Sequence, residues 1–303
     1  MFNVDNKLII VRYSEIALKG KETRKFFEKT LIKNLKKAMK KEKISFQIQR
    51  EWGRIYILSD DLDIVKKVCK KIFGIASFSQ AVETQPDIDT ISKKSLIIIK
   101  QELKNCKTFA VRVTRTGDHN YSSQDVAVRL GSDILKIFNL KVNLDSPEFE
   151  LFIEIRNQRA FIFTGKNRGP GGLPVGTQDK VLIYANNIES VLAGWYLIRR
   201  GCVPYFLIKE GMDKKIIENF VNDWYLESNI FSKSNNLDVF SEINLISEKY
   251  EIDALVTSFN LFENTIKKLV EMKIKTKLPI FHPLIILTKE EVIKNLEQIG
   301  IKK

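Results

Sequence analysis

Cysteine and histidine are scarce in this 303-residue chain, at three and two residues. Cys69, Cys106 and Cys202 are too few and too scattered for a disulfide framework or a cysteine-rich zinc site. His119 and His282 cannot make a multi-histidine metal site within one chain. Long apolar runs are missing as well. Stretches such as Leu96–Ile99 fall far short of the roughly 20 residues that span a bilayer. The opening MFNVDNKLIIVRYSE has no signal-peptide pattern. A cytoplasmic protein without membrane contact is expected. Glycine (14) and proline (7) are sparse, yet five glycines and two prolines crowd into Gly165–Gln178, the one clear linker.

Hydrophobic residues (44%) and aromatics (10%) are plentiful enough for sizeable cores, and the length allows two or three domains. Charge is unevenly placed. The net is +13, with 36 basic and 22 acidic residues in 1–200 but 14 and 15 in 201–303. A localised basic excess favours a polyanionic partner, most commonly nucleic acid. The ion-rich surface of a heat-adapted protein would spread its charge evenly, and these counts are not even.

The hydrophobic period alternates between strand and helix. Leu8–Val11 reads as a strand, Arg24–Lys41 as an amphipathic helix, and Phe46–Arg50 with Arg54–Leu58 as a hairpin. A helix capped by Asp60 or Asp61 and a strand near Ile75–Val82 complete a ferredoxin-like β-α-β-β-α-β order. A second unit follows: helix Ile88–Leu103, strand Phe109–Val113, helix Gln124–Phe138, and a hairpin of Phe149–Arg156 with Ala160–Thr164. After the linker come β-α repeats with about four strands, including a helix over Phe262–Met272. Strands alternating with helices predict a small, doubly wound parallel sheet. The fold class is therefore α/β with an α+β front half, divided as 1–76, 77–167, a linker over 168–179, and 180–303.

Four segments carry candidate chemistry. Lys19, Lys21 and Arg24 sit where a basic loop feeds a helix N-terminus, an arrangement suited to phosphate. Arg112 lies within a strand and Arg115 at or just beyond its end, with Tyr121 in the polar loop that follows. Arginine grips phosphate and stacks on bases, as tyrosine can. Lys166 and Arg168 sit in the glycine-rich linker, which reads equally as a phosphate-following segment or as a hinge. The last segment is the first β-α turn of the final domain, Ala185-Asn186-Asn187-Ile188-Glu189-Ser190, the default nucleotide site of a doubly wound sheet. Two asparagine side chains stand where phosphates would lie, and Glu189 adds negative charge.

The motifs VRYSEIALKGK, WGRIYI, FAVRVTRTGDHNYSS and GPGGLPVGTQDKVLIY, in this order over residues 8–201, resemble the tRNA 4-thiouridine synthases, or tRNA sulfurtransferases. The resemblance implies a ferredoxin-like domain, a THUMP domain that binds tRNA, and a PP-loop ATP pyrophosphatase domain. It also implies tRNA contacts at Arg12, Lys19, Lys21, Arg24, Arg54, Arg112, Arg115, Tyr121, Lys166 and Arg168. The family's PP-loop reads Ser-Gly-Gly-x-Asp-Ser, and of this only Ser190 stands unchanged. The Gly-containing loop after Ala254–Thr257 is replaced by Ser258–Glu263, and no cysteine follows Cys202. The expectation is a tRNA-binding protein with a degenerate nucleotide domain and no cofactor or metal. It would serve a separate tRNA-modifying enzyme or a second copy of itself. The alternative is an active sulfurtransferase using ATP, Mg²⁺ and an external sulfur carrier. A metabolic enzyme with a merely basic surface is the third reading.

Overall fold

The apolar run Leu8–Val11 is buried at the heart of strand β1 (Lys7–Arg12) in a computed structural model that describes residues 7–234, 237–261 and 266–301. The chain divides into two units. One comprises Met1–Arg12, Glu42–Cys69 and Ser77–Arg168; the other comprises Tyr13–Lys41, Lys70–Ala76 and Gly169–Lys303. Helix α1 (Lys21–Lys41), three residues longer at its start than its periodicity predicts, falls in the second unit.

In the first unit, β1 is joined by β2 (Phe46–Glu51), β3 (Arg54–Ser59), α2 (Leu62–Cys69), β4 (Ser77–Thr84), α3 (Ile88–Glu102), β5 (Thr108–Thr116) and α4 (Ser123–Ile137). Then come β6 (Lys141–Val142), β7 (Phe149–Arg156), β8 (Arg159–Phe163) and β9 (Asn167–Arg168). Local chemistry sets the helix starts. Asp61 accepts from the Ile64 N–H at 2.9 Å, Asp87 caps α3 through the Thr90 N–H at 2.8 Å, and Ser122 with Asp125 forms a capping box on α4. Such caps contribute about 1 kcal/mol each. Asn157, at φ +50°, turns β7 into β8. The strands form one sheet in the order β2-β3-β1-β4-β8-β7-β5-β6, with β9 also paired to β4. It is antiparallel except where β5 runs parallel to β6 and β7. One face is packed by α3 and α4, where Ile91, Ile99, Val126, Leu130 and Ile134 meet Leu151, Ile153 and Ile155.

The second unit gathers α1 and the chain after the first unit's last strand. Asn34 of α1 donates to the Val175 carbonyl at 3.0 Å, Lys37 pairs with Glu227 at 2.6 Å, and Lys41 reaches the Asn222 carbonyl at 3.1 Å. The glycine-rich segment is held by backbone bonds. Gly171 exchanges bonds of 2.8 Å with Gly74 and Ile75, and the Leu173 N–H donates to Arg199 at 2.9 Å. Gly172, at φ +72°, passes so close to the Arg199 carbonyl oxygen that a Cβ there would lie 2.0 Å away.

Beyond it run β10 (Lys180–Ala185), α5 (Glu189–Arg199), β11 (Val203–Ile208), α6 (Lys214–Asp223), β12 (Asn229–Ser232) and α7 (Val239–Tyr250). The chain continues with β13 (Ala254–Val256), α8 (Ile266–Lys275), β14 (Ile280–Phe281) and α9 (Lys289–Gln298). The sheet is wholly parallel, in the order β12-β11-β10-β13-β14. It therefore has five strands where the sequence suggests about four. The extra one, β12, is a four-residue edge strand with little burial to betray it, and α7 behind it was likewise unanticipated. Of the helix expected over Phe262–Met272, residues 262–265 lie outside the described residues. No helix among the described residues is long and apolar enough to cross a membrane.

Candidate functional site

Residues paired across a sheet share a face, so Arg12, Arg54, Tyr56, Phe161, Phe163, Phe152 and Glu154 all lie on the face away from α3 and α4. Tyr56 and Phe161 are three strand steps apart, about 14 Å in a flat sheet, yet their rings stack with centroids 4.8 Å apart. The sheet thus rolls this face inward, as accumulated twist permits.

Inside the roll lies an ionic network. Glu154, 5% exposed, accepts from Arg54 at 2.7 Å, Arg12 at 3.3 Å and Arg156 at 3.5 Å. Burial pushes its carboxyl up, but Arg54 and Arg12 outweigh that and hold it below the ordinary carboxylate range. Arg12 also donates to Ser79 and lies over the Phe163 ring. Arg159 grips Glu83 at 2.6 and 2.9 Å, reaches Glu51 at 2.9 Å, and covers Tyr56 and Phe161. Lys166 sits 4.2 Å over the Phe152 ring, its pKa lowered first by burial and then by Arg12.

The candidate RNA-contacting residues therefore divide. Arg12, Arg54 and Lys166 come together around Glu154, and Arg112 joins their border through Glu150 at 3.0 Å and the Leu144 carbonyl at 2.6 Å. Arg115 lies within β5 and, three residues from Arg112, on the opposite face. It contacts the Gly117 carbonyl at 3.1 Å and His119 at 3.3 Å, and His119 in turn meets the Asn157 carbonyl at 2.7 Å. Tyr121 gives its hydroxyl to the Pro86 carbonyl, with its ring beside His119. Arg168 is exposed on β9; Lys19 and Lys21 are exposed in the second unit, where Arg24 is half-buried. Arg156, Arg159 and Glu154 were not singled out from sequence. The signal for Glu154 and Arg156 is the alternation Glu150, Phe152, Glu154, Arg156 along one side of β7; Arg159 opens β8 opposite Arg156.

The second candidate site is the turn between β10 and α5, where strand order reverses. The backbone N–H groups of Asn186 and Asn187 face the Ser190 hydroxyl oxygen at 3.3 and 3.4 Å. The Ser190 N–H donates to Asn187 Oδ1 at 3.0 Å. The Ser190 hydroxyl can give its proton to the Oδ1 of either asparagine, both at 2.9 Å, and Ser258 donates to Asn186 Oδ1 at 3.1 Å. A phosphate cradle needs open backbone N–H groups. Here those of Asn186, Asn187 and Ser190 are already satisfied within the loop, which does not fit a triphosphate as folded.

A cleft of about 480 Å³ adjoins the loop, lined by Tyr184, Asn186, Asn187, Lys209, Phe240, Ser258, Glu271 and Met272 among others. Close by, Thr257 bonds His282 Nδ1 at 2.7 Å, and burial lowers the His282 pKa. Among the described residues no group of three or more His, Cys, Asp or Glu side chains could hold a metal ion.

Two family models match the chain: the ThiI ferredoxin-like domain over residues 8–79 and the THUMP domain over residues 85–164. A Methanocaldococcus jannaschii protein named "Probable tRNA sulfurtransferase" is 33% identical, over 96% of this chain and 87% of its own length. A Methanosarcina mazei protein of the same name is 27% identical, over 98% and 83%. Among solved structures, a 4-thiouridine synthetase–RNA complex with bound ATP is 29% identical with a TM-score of 0.82, covering 97% of this chain and 85% of the other. A Pyrococcus horikoshii protein at 24% identity and a TM-score of 0.84 shares the fold over 97% and 100%.

Proposed function

Because the chain belongs to the tRNA sulfurtransferase family, we propose that it binds tRNA without ATP pyrophosphatase or sulfur-transfer chemistry of its own. The observation that carries this reading is the closed loop at Ser190. Opening it to a triphosphate would cost the bonds that Ser190 makes, and Glu189 would bring a carboxylate toward the phosphates. Residues 1–76 act as the ferredoxin-like domain, 77–167 as the THUMP tRNA-binding domain, 168–179 as the linker, and 180–303 as a degenerate nucleotide domain. Lys19, Lys21, Arg112, Arg115, Lys166 and Arg168 supply phosphate contacts. Arg12, Arg54 and Tyr121, whose polar atoms are already bonded, shape the surface from beneath. The protein hands tRNA to a separate modifying enzyme or to a second copy of itself.

The relatives' name and the ATP in the RNA-bound relative favour a second reading, an active ATP-dependent sulfurtransferase. One experiment separates them: calorimetric titration of tRNA and of ATP·Mg²⁺ into the full chain, with an assay for AMP. Binding of tRNA without ATP binding supports the first reading. Micromolar ATP binding with tRNA-dependent AMP release overturns it in favour of the second.

A further inference from the structure

The hairpin between β2 and β3 turns over two residues, Trp52 and Gly53, with Glu51 paired to Arg54 across it and Gly53 at φ +75°. Trp52 stands at this tip with 69% of its surface exposed. The chain's other tryptophans are packed away: Trp224 is 5% exposed and stacks on Phe73, and Trp195 meets both rings edge-on. A lone exposed apolar residue is ordinary on a protein surface. Trp52 is set apart by how firmly the turn beneath it is held. Arg156 donates to the Trp52 carbonyl at 2.6 Å, and Arg54 donates to the Gly53 carbonyl at 2.7 Å. The Glu51 carboxylate accepts from Arg159 at 2.9 Å and from the Tyr56 hydroxyl at 3.3 Å. Arg54 and Arg156 are tied back in turn to the buried Glu154. These bonds use the backbone of Trp52 and its neighbours, so none of them depends on the indole. The first unit thus spends its central ionic network on fixing a turn whose largest side chain points to water.

Resting on the reading that this chain binds tRNA, we propose that the indole of Trp52 is a stacking platform for one unpaired base of the RNA. Within a duplex each base is covered above and below by its neighbours. A base in a loop or at a single-stranded end leaves a face open, and an aromatic side chain can cover it. Stacking of this kind tolerates any base, because every base has a π-face. A turn already held in place loses little further freedom when the base arrives, which favours affinity. Lysine and arginine contacts to phosphate hold any RNA, single- or double-stranded. Trp52 adds a preference for RNA that carries an unpaired base.

The test uses the full chain with three RNAs: tRNA, the same tRNA trimmed of its unpaired terminal nucleotides, and a blunt RNA duplex. Trp52→Ala should weaken tRNA binding about tenfold or more, the effect of removing one stacking ring, with an unchanged melting temperature. Trp52→Phe should recover most of the loss, and Trp52→Leu, apolar but without a ring, should not. The ratio of wild-type to Trp52→Ala affinity should stay constant between 50 and 200 mM salt while both affinities fall. Binding of tRNA should quench indole emission in the wild type, and that quench should be missing in Trp52→Phe. The blunt duplex should bind wild type and Trp52→Ala equally. If trimming the tRNA removes the Trp52→Ala effect, the stacked base is at the end; if the effect persists, the base is in a loop, and both support stacking. Equal tRNA affinity of Trp52→Ala and wild type, full rescue by leucine, or equal weakening on the blunt duplex overturns the proposal and leaves tRNA binding standing. Failure of the wild type to bind tRNA removes the broader reading itself.

Discussion

Glu154→Gln should destabilise the first unit by about 3–5 kcal/mol, the cost of removing one partner from a buried charge cluster. Glu154 is 5% exposed, and Arg12 and Arg156 are each 11% exposed. Glutamine keeps the shape and one acceptor oxygen but leaves three guanidinium groups facing one another without the central anion. The effect has a pH signature. Because the folded Glu154 carboxyl is held below its ordinary value, its stabilisation is full above the unfolded value of about 4.3. It is lost as pH falls through the lower folded value. Urea unfolding followed by circular dichroism at neutral pH and at a series of acid pH values measures both effects. The variant should be much less stable at pH 7 and should lose less on acidification than the wild type. A loss below about 1 kcal/mol, the range of surface pairs, with an unchanged acid profile would refute the buried network.

Raising salt from 50 to 200 mM should weaken tRNA binding by about 10³-fold if six phosphates are contacted, as read by filter binding or anisotropy; salt-indifferent binding would contradict a phosphate interface. Because Arg112 and Arg115 lie on opposite faces of β5, their alanine variants should be additive: each is expected to cost affinity by about 1–3 kcal/mol, and a coupling energy well above about 0.5 kcal/mol in a double-mutant cycle would contradict that placement. Gly172→Ala should destabilise the second unit by about 2–4 kcal/mol, combining left-handed backbone strain with a Cβ 2.0 Å from the Arg199 carbonyl oxygen. A thermal melt within a degree of wild type would show that the segment shifts freely.

Much of the element order was legible because its determinants are local. Asp87, Ser122 and Asn157 act within three residues of themselves. The short edge strands β9 and β12 were not legible, since two or four residues carry too little pattern and owe their pairing to distant strands. The fate of Arg12 was hidden for the same reason: its partner Glu154 is 142 residues away. The composition of the loop at 185–190 was plain from sequence. Its closure was not, because that depends on how the Ser190 hydroxyl is aimed.

Helix α1 is encoded between two strands of the first unit, yet its bonds run to Val175, Asn222 and Glu227. The chain crosses between units after Arg12, Lys41, Cys69, Ala76 and Arg168, so no single cut separates them. A cut at Gly171 would strip α1 of these partners along its length. Natural selection faces the same obstacle as the protein engineer. If the last domain no longer performs chemistry, its gene segment still cannot be discarded, because a helix inherited from the front of the chain depends on it. Interleaving of this kind holds the last domain in place whatever chemistry it keeps or loses.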